Sequence, residues 1–365
     1  MAEAPAGSDG PAESRRLHFH GSGGSLFGIH IVNIFLTLLT LGVYYFWGKV
    51  RVRRYLLSES DFEGDRFAFH GTGRELLVGW LRALLVFGVP VAILANGPEL
   101  VGAAPAVQAG AIVLVYAIVL VFFPVAMVGA RRYRLSRSSW REIRFSFRGR
   151  ALDFIRLYVV GWLASALTLG VYYPFFAVRR HAFMVSHSYF GNERFRFDGR
   201  GEDVFAIYGL GVLVWALGAG AAFLVALLVA FLLALVVRLP ASAVVGLVLG
   251  LGGALALMAT AAAWAWFESR RQRYFWGHTR FAGTRFRSTV AAPPLLRLTL
   301  VNLALLLGTL GLAWPWVTVR RLRFAFEYLA LEGTPDLAGT QQEAQVVTAT
   351  GEGLAGFLDA GFDLG

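Results

Sequence analysis

The chain has 365 residues, of which 57% are hydrophobic and only 16% are charged, and its mean hydropathy is +0.59. Because soluble domains carry roughly 25% charged residues, this composition predicts an integral membrane protein. The chain contains no cysteine, which excludes disulfides, thiolate catalysis and cysteine-ligated metals. The net charge of +11 suggests nucleic-acid binding, but the basic residues follow the apolar segments closely, and a membrane surface explains them better.

The chain begins with a polar stretch, residues 1–16, that lacks the basic region and apolar core of a signal peptide. Seven apolar segments follow, and several exceed the ~20 residues needed to span a hydrocarbon core. They cover residues 26–47, 76–94, 107–128, 154–176, 204–237, 243–267 and 298–317. We predict a disordered tail at 1–16, a membrane domain at 17–332 and an acidic, disordered tail at 333–365.

The first, fourth and seventh apolar segments end in the same way, with Thr-Leu-Gly followed by aromatic residues and then a Val-Arg pair. The repeated glycines are Gly42, Gly170 and Gly311, and the arginines at a constant distance behind them are Arg51, Arg179 and Arg320. Self-similarity at fixed offsets predicts a repeat architecture.

Short alternating patterns of aromatic and polar residues, closed by a glycine, lie between the apolar segments. They occur at residues 66–71, 144–149 and 194–199, with weaker copies at 18–21 and 285–288. This alternation predicts short β-strands that end in turns. The apolar segments therefore alternate with small β-elements.

The units are of two kinds. Short units with one Thr-Leu-Gly segment lie near residues 17–75, 144–203 and 285–332, and two helical hairpins at 76–128 and 204–267 separate them. We predict an all-α polytopic membrane protein of tandem transmembrane and re-entrant helical modules, joined by short cytoplasmic β-strand linkers.

The distribution of arginine favours re-entrant segments. If the three short segments dip into the membrane and return, 31 of the 34 basic residues lie on one side, with only Arg238 on the other and Arg82 and Arg156 in or beside apolar segments. If all seven segments cross once, the two sides hold eighteen and fourteen. Positive-inside statistics favour the first arrangement.

Several residues would interrupt or line the short segments. They are the three glycines Gly42, Gly170 and Gly311, the prolines Pro174 and Pro315, and the intramembrane amides Asn33 and Asn302. Non-helical backbone is tolerated at membrane depth when protein covers it, and amides there are functional candidates. The alternative is that each glycine only kinks a tilted spanning helix and that the amides form interhelical hydrogen bonds.

Basic residues in the linkers are almost all arginine, whose planar guanidinium binds phosphate or carboxylate through two parallel hydrogen bonds. We predict that they bind an anionic head group at the cytoplasmic boundary. The candidate residues are Arg51, Arg54, Arg66, Arg179, Arg194, Arg270, Arg285 and Arg320. The alternative is that they are topology signals flanked by an aromatic belt.

No catalytic or metal-binding constellation is visible. The seven histidines form no pair at metal-ligand spacing on a helix, and the few carboxylates lie mostly in linkers, which argues against an acidic proton relay. We predict no cofactor, no metal and no enzymatic activity.

The residues of the first unit resemble a known family. Residues 36–44 read Leu-Thr-Leu-Leu-Thr-Leu-Gly-Val-Tyr, residues 49–55 read Lys-Val-Arg-Val-Arg-Arg-Tyr, and a Phe-x-Phe-x-Gly element and Asn33 or Asn302 recur around them. This combination is similar to the bacterial inner-membrane family typified by YjgN, over about residues 17–332. Gly161, Phe46 and Pro335 depart from the repeated pattern.

The resemblance implies a multi-pass protein of the bacterial cytoplasmic membrane and implies no reaction, because that family is uncharacterised. We expect non-catalytic binding of anionic phospholipid, or membrane organisation, through a basic cytoplasmic face. The alternative is a transporter or channel for a small solute, anionic or not, built on the three glycine-broken segments. The expected partner is the lipid bilayer, with no nucleic acid; protein partners are unknown.

Overall fold

A computed structural model describes residues 14–237, 240–337 and 339–342. Most of the two tails predicted as disordered, residues 1–13 and 343–365, and Arg238 lie outside the described residues. Ser14–Arg16, which the sequence placed in the first tail, instead begin a β-strand, because they pair with the last strand of the described chain.

The helices form five consecutive pairs. The three short pairs are α1 (Gly23–Leu39) with α2 (Tyr45–Ser58), α6 (Ala151–Leu167) with α7 (Tyr173–Ser186), and α10 (Ala292–Gly308) with α11 (Trp314–Tyr328). In the first long pair, α3 (Gly73–Ala83) and α4 (Val89–Leu100) are joined by a π-helical turn and together pair with α5 (Pro105–Ser136). In the second long pair, α8 (Gly201–Val237) pairs with α9 (Ala241–Gly277). Short and long pairs alternate along the chain.

A β-hairpin follows each of the first four pairs. The strands are β2 (Ser60–Phe62) and β3 (Asp65–Phe69), β4 (Ser138–Trp140) and β5 (Ile143–Phe147), β6 (Ser188–Phe190) and the interrupted strand β7 (Glu193–Arg194) and β8 (Arg196–Phe197), and β9 (Thr279–Phe281) and β10 (Thr284–Ser288). After the fifth pair, β11 (Leu329–Glu332) pairs with β1 (Ser14–Phe19) from the start of the chain.

All eleven strands belong to one antiparallel sheet. Their order is β7-β6-β5-β4-β3-β2-β1-β11-β10-β9-β8. The two strands at the ends of this order are separated in sequence by Phe195 alone, so the sheet curls back on itself like a barrel. The prediction of a mainly helical chain with short β-strands is confirmed, but the all-α class is corrected, because these strands satisfy their backbone groups by pairing with the neighbouring hairpins in one sheet.

Sheet pairing determines the course of every helical pair. The strands before and after the first pair, β1 and β2, are direct neighbours, with Leu17 opposite Phe62. The same holds for β3 and β4 around the second pair and for β5 and β6 around the third. Since both ends of a pair lead to one sheet, each pair runs out and returns, and a single kinked helix does not describe the short segments.

The Thr-Leu-Gly sequence forms the turn of each short pair. Thr40 Oγ1 donates to Leu36 O at 2.7 Å and accepts from Tyr44 N at 2.9 Å, and Leu41 and Gly42 adopt φ values of 50° and 95°. Glycine tolerates this left-handed conformation without cost, and it closes the helix C-terminus in a Schellman-type turn. Thr168 and Thr309 make equivalent bonds in the other two turns.

The two prolines stand beyond these turns rather than inside a helix. Pro174 and Pro315 occupy the first turn of α7 and α11, where a missing N–H costs nothing and the fixed φ suits the helix. The break predicted in each short segment is therefore made by the turn, and the proline starts the returning helix.

The five pairs close into a ring above the sheet. The second helix of each pair packs against the first helix of the next, in the contacts α2 with α3, α5 with α6, α7 with α8 and α9 with α10, and α11 packs against α1. The alternation of short and long pairs is interrupted only at this last contact, where two short pairs meet.

Aromatic side chains fill the interior of the sheet. Trp140, Phe190 and Phe281 are buried at its centre, and each buried ring stabilises the fold by about 1.5–3 kcal/mol. Further rings pack around them: Phe62, Phe67, Phe145, Phe195 and Phe286. The space left inside is about 160 Å³, and Pro335 and Leu337 close one side of it, so the barrel is a packed core and not a channel.

Four helical stretches are long and apolar enough to cross a membrane. They are Gly73–Leu100, Pro105–Ser136, Gly201–Val237 and Ala241–Gly277, and they form the two long pairs. The short pairs differ, since α1 has 17 residues and α2 has 14, which corresponds to about 25 and 21 Å at 1.5 Å per residue. A hydrocarbon core is ~30 Å thick.

Pairing of the first and last strands can be tested by cross-linking in a chain without native cysteine. Arg16 lies opposite Ala330, and facing Cα atoms in antiparallel strands are about 4.5–5.5 Å apart, within disulfide range. We expect Arg16→Cys with Ala330→Cys to give a disulfide-linked peptide by mass spectrometry after oxidation. The control is Arg16→Cys with Leu331→Cys, one residue out of register. Equal cross-linking of both variants would contradict the register.

Candidate functional site

A cavity of about 730 Å³ lies between α1, α2 and α11, where two short pairs meet. The helices α2 and α11 contribute residues at the same distances behind Thr40 and Thr309. These are Tyr45, Lys49, Val52, Arg53 and Leu56 on α2, and Trp314, Thr318, Arg321, Leu322 and Ala325 on α11. Spacings of three and four residues place each set on one helix face, so equivalent faces of two helices line one space.

The polar part of this lining is cationic. Lys49, Arg53 and Arg321 line the cavity, and no aspartate or glutamate is among its described lining residues. Lys49 Nζ and Arg53 Nη1 are themselves buried, so Arg321 and the rest of the Arg53 guanidinium are the cationic groups nearest the open space. His30 stacks on Trp314, with ring centroids 5.1 Å apart. A space lined by three cations and no carboxylate attracts an anion.

Asn33 is the buried amide on this wall. Its Nδ2 donates to Gly48 O at 3.1 Å, whereas its Oδ1 is buried without a partner among the described residues. A buried polar atom without a hydrogen bond costs about 1–3 kcal/mol. This oxygen is itself buried, so Asn33 holds α1 against α2 through its bond to Gly48 and does not present the oxygen to the cavity.

The cavity is long, and part of its wall is apolar. From Tyr45 to Leu56 it follows twelve residues of α2, which is about 17 Å of helix. Ile34 and Leu38 of α1 line it beside Leu56 and Leu322. A site with cations and an extended apolar wall suits an amphiphile with an anionic head.

A second polar cluster lies between the second helices of three pairs, α5, α7 and α9. Burial lowers the pKa of His181 to about 4, and Arg131, Arg271 and Arg180 add to the effect because they repel an imidazolium. His181 is therefore neutral at pH 7. Arg271 is held by a carboxylate, since its Nε and Nη2 each donate to Glu268 at 2.7 Å. Arg131 donates to Ser188 Oγ at 3.2 Å, and its Nε is buried without a partner among the described residues.

The structure places four of the arginines predicted to bind an anion on the exposed outer side of the helices. Arg51 and Arg179 lie over Tyr44 and Tyr172, each 5.9 Å from the ring centroid, and Arg270 lies 4.4 Å from Trp266. Arg320 borders an apolar groove. These four belong to different parts of the ring and do not converge on one site.

The other four predicted arginines are bonded mostly to protein. Arg54 Nη2 donates to Gly71 O at 3.5 Å, and Arg66 lies 3.9 Å from Glu59. Arg194 and Arg285 donate to the carbonyls of Ser186 and Gly277, the last residues of α7 and α9. A guanidinium at a helix C-terminus satisfies orphan carbonyls and favours the helix dipole.

The sequence prediction missed the inward basic residues Lys49, Arg53 and Arg321. Arg53 follows Arg51 by two positions, which corresponds to about 200° around a helix, so one faces the cavity and the other the outside. The only repeated signal among them was Lys49, which matches the polar Thr318 at the same distance behind Thr40 and Thr309. Arg53 and Arg321 match the apolar Leu322 and Val52, so the repeat did not mark them.

Asn33, Gly161 and Asn302 occupy the same position in the three short pairs, seven residues before the threonine. A Cβ built on Gly161 would lie 2.1 Å from Phe176 Cδ2, and one built on Gly48 would lie 3.0 Å from Asn33 Cγ. The first pair thus packs the amide of Asn33 on Gly48, whereas the third pair packs Gly161 on the ring of Phe176. The large and the small residue are exchanged between the two helices, and the ring fills the space of the amide. Asn302 is 1% exposed, and its amide has no hydrogen-bond partner among the described residues.

Composition, span-length helices and one shared sheet define a multi-pass membrane protein. A model of the family described as "Bacterial protein of unknown function (DUF898)" matches residues 14–357, and the chain belongs to this family. Within it, the chain is similar to two relatives named inner membrane protein YjgN. This confirms the predicted family and the predicted location in the bacterial inner membrane.

The relative from Salmonella typhimurium is 26% identical over 167 residues, which are 42% of this chain and 40% of the relative. The relative from Escherichia coli K12 is 30% identical over 148 residues, which are 40% of this chain and 34% of the relative. The aligned region thus spans less than half of the curated relatives. No solved structure matches the chain. No group of three metal-ligating side chains occurs among the described residues, and nothing in the family description points to catalysis.

The exchange at Gly161 gives a stability prediction. Gly161→Asn should lower the melting temperature in detergent, because overpacking against Phe176 costs about 1–3 kcal/mol. Adding Phe176→Gly recreates the Asn33–Gly48 arrangement and should recover part of the loss in a double-mutant cycle.

The matched control is Gly28→Asn in α1, where an added Cβ has no atom within 4 Å. We expect it to change stability by less than about 0.5 kcal/mol. A double variant at positions 161 and 176 that is no more stable than the sum of its single changes would show that the two side chains are not matched.

Proposed function

We propose that the protein binds an anionic phospholipid, without catalysis, in the cavity between α1, α2 and α11. The single observation that carries this proposal is the lining itself, in which Lys49, Arg53 and Arg321 share a long, partly apolar space with no carboxylate. Guanidinium groups match the oxygens of a phosphate through paired hydrogen bonds.

The proposal depends on where the cavity lies in the membrane. We infer that the five units form one tandem repeat, in which the two long pairs cross the membrane and the three short pairs dip into it. Their turns support this, since Leu41, Leu169 and Leu310 are 95, 95 and 94% exposed, and an apolar side chain at such a tip is stable in hydrocarbon. The sheet and nearly all basic residues then lie on the cytoplasmic side.

The apolar wall favours a lipid over a free solute. Leu38 and Tyr45 lie at the turn end of the cavity, while Leu56 and Ala325 lie near its cytoplasmic end. Acyl chains from the surrounding bilayer could occupy this wall while the head group meets Arg53. The alternative, transport of a small anionic solute, is favoured by one observation: two of the three glycine turns flank the same cavity.

The proposed topology can be tested by cysteine labelling. Arg144 and Arg194 are exposed, and they flank the third pair in the sheet. Arg144→Cys and Arg194→Cys should both react with an impermeant maleimide in inside-out vesicles and not in spheroplasts. Leu167→Cys, close to the turn, should react in neither. Labelling of the two arginine positions from opposite sides would mean that the third pair crosses the membrane once.

The binding site can be tested by native mass spectrometry with phosphatidylglycerol. We expect Arg53→Gln with Arg321→Gln to weaken binding by roughly tenfold or more, because a charge-assisted hydrogen bond contributes about 1.5–3 kcal/mol. Arg51→Gln with Arg320→Gln removes the same charge from the outer faces of the same two helices and should weaken binding less than about fivefold per residue.

Two outcomes would contradict the proposal. If Arg51→Gln with Arg320→Gln weakens binding more than Arg53→Gln with Arg321→Gln does, the binding site lies at the outer arginines that the sequence predicted. Equal binding of sn-glycerol 3-phosphate and phosphatidylglycerol would show that the apolar wall contributes nothing, and the small-solute alternative would then be right.

A further inference from the structure

We propose that the cavity between α1, α2 and α11 also provides a path by which the head group of an anionic phospholipid moves between the two leaflets. This inference rests on the proposed function, since it assigns movement to the same bound lipid. It concerns passive exchange, which needs no nucleotide or ion gradient.

The first argument is the depth that the polar lining reaches. Lys49 lies four residues, or about 6 Å, from the start of α2 at Tyr45, and Thr37 lines the cavity still closer to the turn. His30 and Asn33 of α1 lie opposite. A polar wall therefore extends from the cytoplasmic end of the short pairs almost to their tips. Ionisable side chains at membrane depth are costly and usually mark a transport pathway.

The second argument is the length of the helices that surround the cavity. The helices α1 and α10 have 17 residues each and α2 and α11 have 14 and 15, so none exceeds about 25 Å. Because a hydrocarbon core is ~30 Å thick, the far leaflet lies over the tips of these pairs. The cavity therefore shortens the apolar distance that a head group must cross, although it does not span the whole hydrocarbon core.

The third argument is the position of the cavity in the ring. Five pairs that alternate between short and long must place two short pairs side by side when the ring closes, and this happens only between α11 and α1. Every other contact has a membrane-crossing pair on one side. Lipid can therefore reach this junction laterally, and the acyl chains can stay in the bilayer while the polar head uses the cavity.

The experiment uses the full-length protein in liposomes with fluorescently labelled phosphatidylglycerol and dithionite, which bleaches only the label exposed in the outer leaflet. We expect the wild-type protein to make the inner-leaflet label accessible as well. Arg53→Gln with Arg321→Gln should slow this by roughly tenfold, the factor that one lost charge-assisted hydrogen bond predicts. Arg156→Gln with Arg297→Gln, two exposed arginines outside the cavity, is the charge-matched control and should leave the rate unchanged.

A second variant changes no charge. Thr318→Trp fills the cavity at mid-length and should also slow exchange, whereas Leu303→Trp, on an exposed position of α10, should not. If all four variants exchange lipid at the wild-type rate, lipid crosses elsewhere and the inference is wrong. If phosphatidylglycerol binds in native mass spectrometry but is not exchanged by the wild type, only this inference fails. If it does not bind, the proposed function fails as well.

Discussion

Strand pairing between successive helical pairs is the constraint on which the rest of this structure depends. Since β3 pairs with β4 and β5 with β6, a pair of helices must leave and return on one side of the sheet. Basic residues of the linkers are thereby collected on that side, and helices of 14–17 residues can remain in the fold without spanning a bilayer. The ring of helices and the cavity at its closing contact both follow from this pairing.

Arginine has two different roles in the same helices. The residues on the outer face and at helix ends, such as Arg179 on Tyr172 and Arg285 on Gly277 O, hold the fold together or face the membrane surface. Those on the inner face line a space that the chain leaves open. Lys49 on the inner face also lies over a ring, 5.8 Å from the centroid of Tyr45, so the two groups differ in the space that they face and not in having partners.

The local parts of the fold could be predicted from the sequence, and the non-local parts could not. The Thr-Leu-Gly turns and the short strands are encoded within ten residues, so their positions were visible as patterns. The pairing of Arg16 with Ala330 joins segments that no periodicity connects, and the single sheet was therefore missed. The cavity was missed for another reason: Arg51 and Arg53 look alike in sequence, and only the packing of α11 against α1 separates inside from outside.

The pairing of β1 with β11 in the sheet has a consequence for the synthesis of the chain. The partner that completes β1 is encoded about 310 residues after it, and at translation rates of roughly 5–20 residues per second it emerges on the order of 15–60 s later. During this interval one edge of the growing sheet stays unpaired while all five helical pairs are synthesised. An open edge recruits other strands, so the nascent chain is most vulnerable to wrong pairing before β11 is made, and a chain truncated before β11 keeps that vulnerability permanently.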